Sequence, residues 1–466
     1  MSNLIVEDCL RIIFAELQDD PGSLYSCILV NKYWCRIAVK ILWKNPYGYK
    51  KISRNKLYNS IFNLLPITSK QYLLKDNTKS SLNIILNKPS FNYISFSSQI
   101  PPHFIYGMIR KLVWREFGFD KFDEFEQEIY KLIINNCMNL NYFYWNTTKP
   151  LYQYPGASTF FLQLPSLGID LEFVNSEALF ELAEICQNIE DLKLWCYNGD
   201  ISGLIMFLDV QKNLQSLYLY FKGEVGQPMQ LSEVIERKAT TLKKLSMEPN
   251  INLLSPKFLP SLKNLRNLQL RNLVERIVKR QEWETYLSIS SFPNLQSLET
   301  LNLSIHNDCM IIEKSHGNIL EIKIFRNVRN YKFFVYHEKL LKTIANNCPK
   351  IEKLSIDIEL QNLNEMKEIL LKCSHLKSIY LLICNDGKFN CDELLEVLVN
   401  FSPTTLHEFT LSGKWIFSIN ALQSFFESWR NRFPIIFNQD IENVKKENKM
   451  IVKKYYDEGI IKETNL

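Results

Sequence analysis

NNCPKIEKLSIDI, residues 346–358, decides the fold. Apolar residues stand at Ile351, Leu354 and Ile356, with two residues and then one between them. The Leu354-Ser355-Ile356 part alternates with a period of two, the pattern of a short strand with one buried face. Three residues before Ile351 stands Cys348, a small apolar group suited to burial where the chain turns into the strand. The same phrase recurs as NNCMNL at 135–140, EICQNI at 184–189 and LKCSHL at 371–376, with Cys137, Cys186 and Cys373 in the same place.

Apolarity alone does not establish a repeat. In a chain that is 46% hydrophobic, three fixed apolar positions recur in about one window in ten by chance. Spacing and phase do. Clear copies start at Leu214, Leu242, Leu265 and Ile351, weaker ones at Leu140, Leu164, Ile189, Leu298, Ile319, Leu376 and Leu406. Successive starts lie 21 to 33 residues apart, and the mean of about 27 falls in the range of leucine-rich repeats. Near residue 295 a second phase, Leu295/Leu298, competes with Leu298/Leu301/Leu303. The four cysteines at one phase resemble the cysteine-containing class of leucine-rich repeats that often follows an F-box. Between the strands, SEALFELAEIC, HEKLLKTIANNC, LNEMKEILLKC and CDELLEVLVN carry helical i, i+3, i+4 apolar spacing. The fold class expected is therefore α/β: a curved parallel sheet with outer helices, in which stacked repeats share one core.

The chain begins differently. Residues 4–43 read as three short amphipathic helices. Leu10, Ile13, Phe14 and Leu17 form the first stripe; Asp20 before Pro21 suits the start of a second helix, and Asn31 the cap of a third. The order of residues resembles the F-box. Leu4-Ile5-Val6-Glu7 stands for the family's Leu-Pro-x-Glu opening. Leu10, Ile13, Phe14 and Leu17 then match its first helix, Leu24, Cys27 and Val30 its middle, and Trp34 and Leu42-Trp43 its close. The phrase LVNKYWCRIAVKILWKNPY, residues 29–47, is similar to fungal members. One departure stands out: the family's proline is Ile5 here. The resemblance implies a small all-α domain docking on the adaptor of an SCF-type cullin-RING ubiquitin ligase, and through it the cullin. It implies contact by Leu4, Ile5, Leu10, Ile13, Phe14, Leu17, Val30 and Trp34, while the repeats hold a target protein. A repeat scaffold without a ligase role is the alternative.

Four segments are expected: an F-box at 1–47, a linker or cap at 48–120, the repeat solenoid at 121–432, and a polar helix or tail at 433–466. In each strand the residues beside the inward ones face the other way. These include Tyr142, Tyr144, Trp195, Tyr218, Tyr220 and Tyr380, which are candidates for target binding or, equally, for packing on each other across strands. Trp195, Tyr218 and Tyr220 are expected to form one patch.

Other chemistry finds no footing. A net charge of +5 over 466 residues is not the footprint of a nucleic-acid binder, and Lys50, Lys51, Arg54 and Lys56 read as a solvated face. No phosphate-binding glycine loop, HExxH or CxxC occurs; the six histidines are dispersed, and Cys373 with His375 falls short of a zinc site. No catalytic constellation, cofactor or metal is expected. No apolar run is long enough to span a membrane, and Glu7, Asp8, Arg11 and Glu16 interrupt any leader. Eleven scattered cysteines suit a reducing compartment, so the cytoplasm or nucleus is expected.

Overall fold

A computed structural model describes residues 2–48, 53–73, 89–112, 121–195, 200–221, 229–273, 280–326, 337–383, 391–413, 415–440 and 444–466. The chain divides into two compact units, Met1–Leu214 and Gln215–Leu466.

The first unit opens with helices α1 (Ser2–Glu16), α2 (Pro21–Val30) and α3 (Lys32–Leu42). Helix α1 takes in Leu4–Glu7, which the family pattern sets ahead of the first helix. A proline inside a helix would lack its N–H and clash with the preceding turn; Ile5 does neither. Trp43, just past α3, is buried and stacks on Tyr93 at 4.6 Å. The closing Leu-Trp pair thus ties the helices to the segment behind them. Helices Arg54–Phe62, Pro102–Leu112 and Phe122–Asn136 follow. Gln99 forms a parallel bridge with Tyr142, and Ser98 N–H donates to Lys44 O at 2.9 Å, so this segment lies against the first repeat strand.

That strand, β1 (Phe143–Trp145), pairs in parallel with β2 (Ser166–Asp170), and β2 with β3 (Asp191–Trp195). The register aligns Phe143, Leu167 and Leu192, then Trp145, Ile169 and Leu194, and all six are buried. Phe143 meets Phe160 of helix Ala157–Gln163 at 5.2 Å, so the helices cover this face of the sheet.

The second unit repeats the plan with β4 (Ser216–Tyr220), β5 (Lys244–Glu248), β6 (Asn267–Arg271), β7 (Ser297–Leu301), β8 (Glu321–Phe325), β9 (Lys353–Ile358), β10 (Ser378–Ile383), β11 (Glu408–Ser412), β12 (Ile435–Gln439) and β13 (Ile461–Thr464). Each neighbouring pair from β4 to β13 is parallel, and one row runs through Leu217, Leu245, Leu268, Leu298, Ile322, Leu354, Ile379, Phe409 and Phe437. Each such side chain contributes roughly 1.5–3 kcal/mol through its burial. A helix stands between most strands, as the apolar spacing predicts. This is the α/β leucine-rich-repeat solenoid.

Three details differ from the sequence reading. At β7 the inward residues are Leu295, Leu298 and Thr300, so the start lies at Leu295 and not at Leu298; Leu301 faces outward opposite Phe325. Thr300 escapes an apolar count because its hydroxyl, although buried, donates to Asp308 Oδ1 at 2.8 Å. Residues 433–466 hold a helix, Lys446–Asp457, but also two further strands, β12 and β13, that continue the sheet on either side of it. Third, Gln211 stands at the cysteine phase of its repeat. Each phase cysteine ends a helix, Cys137 N–H donating to Ile133 O, Cys186 to Leu182 O, Cys348 to Ile344 O and Cys373 to Ile369 O. All four thiols are buried. Gln211 is equally buried because its amide is satisfied: Nε2 donates to Cys186 O at 2.7 Å and to Phe207 O at 3.0 Å, and Oε1 accepts from Ile189 N–H at 3.0 Å.

Candidate functional site

Two surfaces stand out, one on the N-terminal helices and one on the outward side of the strands.

Capping fixes the helices. Asp20 Oδ1 accepts from the N–H groups of Gly22 at 3.1 Å and Ser23 at 3.2 Å, with Pro21 at the first helical position. Asn31, in extended backbone, accepts from Trp34 N–H at 2.8 Å. These caps separate α2 from α3 and set which side of each packs. Inward lie Phe14, Leu24, Ile37, Ala38, Val39 and Leu42, all buried, with Phe14 edge-on to Trp34 at 5.2 Å. Outward lie Ile12 (66% exposed), Ile13 (55%), Leu29 (70%) and Val30 (56%), joined by exposed Tyr25 and Tyr33.

This geometry divides the residues expected to touch an adaptor. Ile13 and Val30 face outward; Leu10, Leu17 and Trp34 are half-buried; the side chains of Leu4 and Ile5 lie outside the described residues. Phe14 is a correction: at 1% exposed it is a core residue, held by Trp34. Ile12, Tyr25, Leu29 and Tyr33, outside the expected set, are exposed as well. The signal was present in α2, where Leu24, Tyr25, Ile28, Leu29 and Val30 exceed the single stripe that one buried face requires.

On the strand face, Tyr142, Tyr144, Trp195, Tyr218, Tyr220 and Tyr380 are all half-buried and alternate with inward neighbours. In the first unit, Tyr144 and Trp195 meet edge-to-face at 4.9 Å across β2, where Gly168 lies between them. Tyr144 Oη donates to Asp170 Oδ2 at 3.2 Å, and Lys193 Nζ lies 5.0 Å from the centre of the Tyr142 ring. Burial pushes the Tyr142 phenol above its ordinary value, and nearby Asp191 adds to this. In the second unit Tyr218 Oη donates to Glu248 Oε1 at 2.5 Å. Arg271 lies between Glu248 and Glu299, with Nε donating to Glu299 Oε1 at 2.7 Å. Tyr380 meets Phe325 edge-on at 5.5 Å across Ser355 of β9. Cross-strand packing and outward placement thus hold together for Tyr144, Trp195 and Tyr380. Trp195 belongs to the first unit and Tyr218 and Tyr220 to the second.

The second unit also buries a chain of charges. Asp308 receives the Thr300 hydroxyl and pairs with Arg326 at 2.7 Å; Arg326 lies 3.8 Å from Asp357. His337 lies 3.5 Å from Asp357 and 3.3 Å from Glu359. Burial pushes the Asp308 carboxyl up to about 6, against the opposing pull of Arg326 and Thr300. Among the described residues no group of three or more His, Cys, Asp or Glu is arranged to hold a metal ion. No helix among them is long and apolar enough to cross a membrane. Cys373 is buried while His375 is exposed, so the two do not converge. Lys50 and Lys51 lie outside the described residues.

No protein-family model matches the chain, and no curated protein sequence matches it. Among solved structures, the leucine-rich-repeat protein LegL7 of Legionella pneumophila is similar at 13% identity and a TM-score of 0.35, over 70% of this chain and 94% of that one. The complex of Rad7 with Elc1 from yeast gives 14% identity and 0.39, over 75% and 97%. A complex of TLR13 with single-stranded RNA gives 13% and 0.31, over 60% and 48%.

Proposed function

We propose that the chain is the substrate-recognition subunit of an SCF-type cullin-RING ubiquitin ligase, with the N-terminal helices docking on the adaptor and the repeats holding a target protein. The observation that carries this reading is the exposure of Ile12, Ile13, Tyr25, Leu29, Val30 and Tyr33 on the N-terminal helices. Large apolar side chains left exposed in this number beside a filled core mark a protein interface. Leu10, Leu17 and Trp34 would flank the contact, and Phe14 would support it from inside. The F-box resemblance names the partner, and the cullin follows through it. The chain supplies proximity rather than chemistry: held beside the ligase, a target's lysines reach a high effective concentration near the loaded conjugating enzyme. The cytoplasm or nucleus is the corresponding setting.

Introducing Ile13→Lys and Leu29→Lys together into the full chain should abolish co-purification of the adaptor while leaving the melting temperature within a few degrees, since both side chains are exposed. Adaptor recovery at the wild-type level would refute the reading. A repeat scaffold without a ligase role is the second reading, favoured by Ile5 in place of the family's proline; under it the double variant loses nothing.

A further inference from the structure

On the outward side of β1–β3, three rings gather over one glycine. Gly168 lies opposite Tyr144 on one side and Lys193 on the other in the strand register. A Cβ there would stand 2.6 Å from the Trp195 ring and 2.8 Å from the Tyr144 ring, and would also meet the Tyr142 hydroxyl. Only a residue without a side chain lets the rings come this close.

The charges around the rings have a sign. Asp170 aligns with Trp195 across the β2–β3 pair, accepts from Tyr144 Oη at 3.2 Å and accepts the Glu172 N–H at 3.1 Å. Asp191 accepts from the Ser166 hydroxyl at 2.9 Å. Against these two carboxylates stands, among the described residues, the ammonium of Lys193, 3.6 Å from Asp191 and over the Tyr142 ring. The chain therefore already seats a cation on one side of this platform by combining a ring face with a carboxylate. On the other side the half-buried Tyr144–Trp195 pair and Asp170 place the same two kinds of group together. A phosphate or an acidic peptide would meet carboxylates there.

We propose that this face is a docking platform for a basic side chain, Arg or Lys, carried by the target polypeptide. The inference rests on the reading that the repeats hold a target. A guanidinium or ammonium lies over the Trp195 or Tyr144 ring and against Asp170. Lys193 is the built-in competitor on the neighbouring ring.

The test is selection of phage-displayed random peptides on the immobilised full chain, repeated on Asp170→Asn, Trp195→Ala and Lys193→Gln, with melting temperatures as the folding control. Selected peptides should be enriched in Arg and Lys. Binding should weaken about two- to thirty-fold in Asp170→Asn and Trp195→Ala, the cation–π range converted at about 1.4 kcal/mol per tenfold. Lys193→Gln should bind at least as tightly as wild type. If Trp195→Ala does not fold, Asp170→Asn and Lys193→Gln decide the matter. Peptides that need Trp195 but are not basic, or that ignore Asp170→Asn, overturn this inference and leave the face as a target site. Peptides indifferent to both substitutions, or no enriched peptides, overturn the placing of a target here; adaptor binding is read separately in the Ile13/Leu29 variant.

Discussion

Replacing Thr300 by valine keeps the side chain's shape and removes one hydroxyl. In the neighbouring strands the matching residues are Leu270 and Ile324, so the packing has room for an apolar group. The loss is the 2.8 Å bond to Asp308 Oδ1, in surroundings where neither residue meets water. A hydrogen bond to a buried charge contributes about 1.5–3 kcal/mol, which for a unit of this size lowers the melting temperature by about 3–12 °C. The sign with pH follows from Asp308. Burial raises its folded pKa to about 6, above the unfolded value of about 3.9. The native state therefore holds this proton more tightly, and stability from this group is greatest in acid and falls as pH rises to about 6. The lost bond favours the charged form, so the valine variant should be hurt more at pH 8 than at pH 5. Thermal melts of both proteins at the two pH values measure this. An equal loss at both, or none, would refute the assignment of Thr300 as the partner of a buried carboxylate.

Leu268→Ala empties an inward position between Leu245 and Leu298 and should cost about 2–5 kcal/mol; urea unfolding at wild-type stability would break the register. Cys348→Ser puts a hydroxyl into a buried apolar corner, whereas Cys309, equally buried, hydrogen-bonds with Thr343 and offers a serine a partner. Melts should therefore show the larger fall at Cys348, and equal falls would contradict this.

The repeat was legible because its inward row is almost wholly apolar and its cysteines mark a fixed phase. Where polar groups took inward places, as Thr300 and Gln211 do, each had its own partner inside, and hydropathy has no symbol for a satisfied hydroxyl or amide. Strand β12 was hidden in the same way: Gln439 fills an inward position and donates to Trp415 O at 3.0 Å. At the N-terminus the apolar residues were identifiable but not their direction. Ile13 and Phe14 are adjacent in sequence, one exposed and the other buried, and only the placing of Trp34 decides between them.

The aligned row from Leu217 to Phe437 keeps its register although successive members lie 23 to 32 residues apart in sequence. Differences of up to nine residues are thus absorbed without moving a single strand pairing. Such a chain is modular in length: a short peptide tag or a fluorophore-binding sequence placed between a strand and the next helix should leave the ladder intact, whereas one residue added inside a strand would turn its whole inward face out.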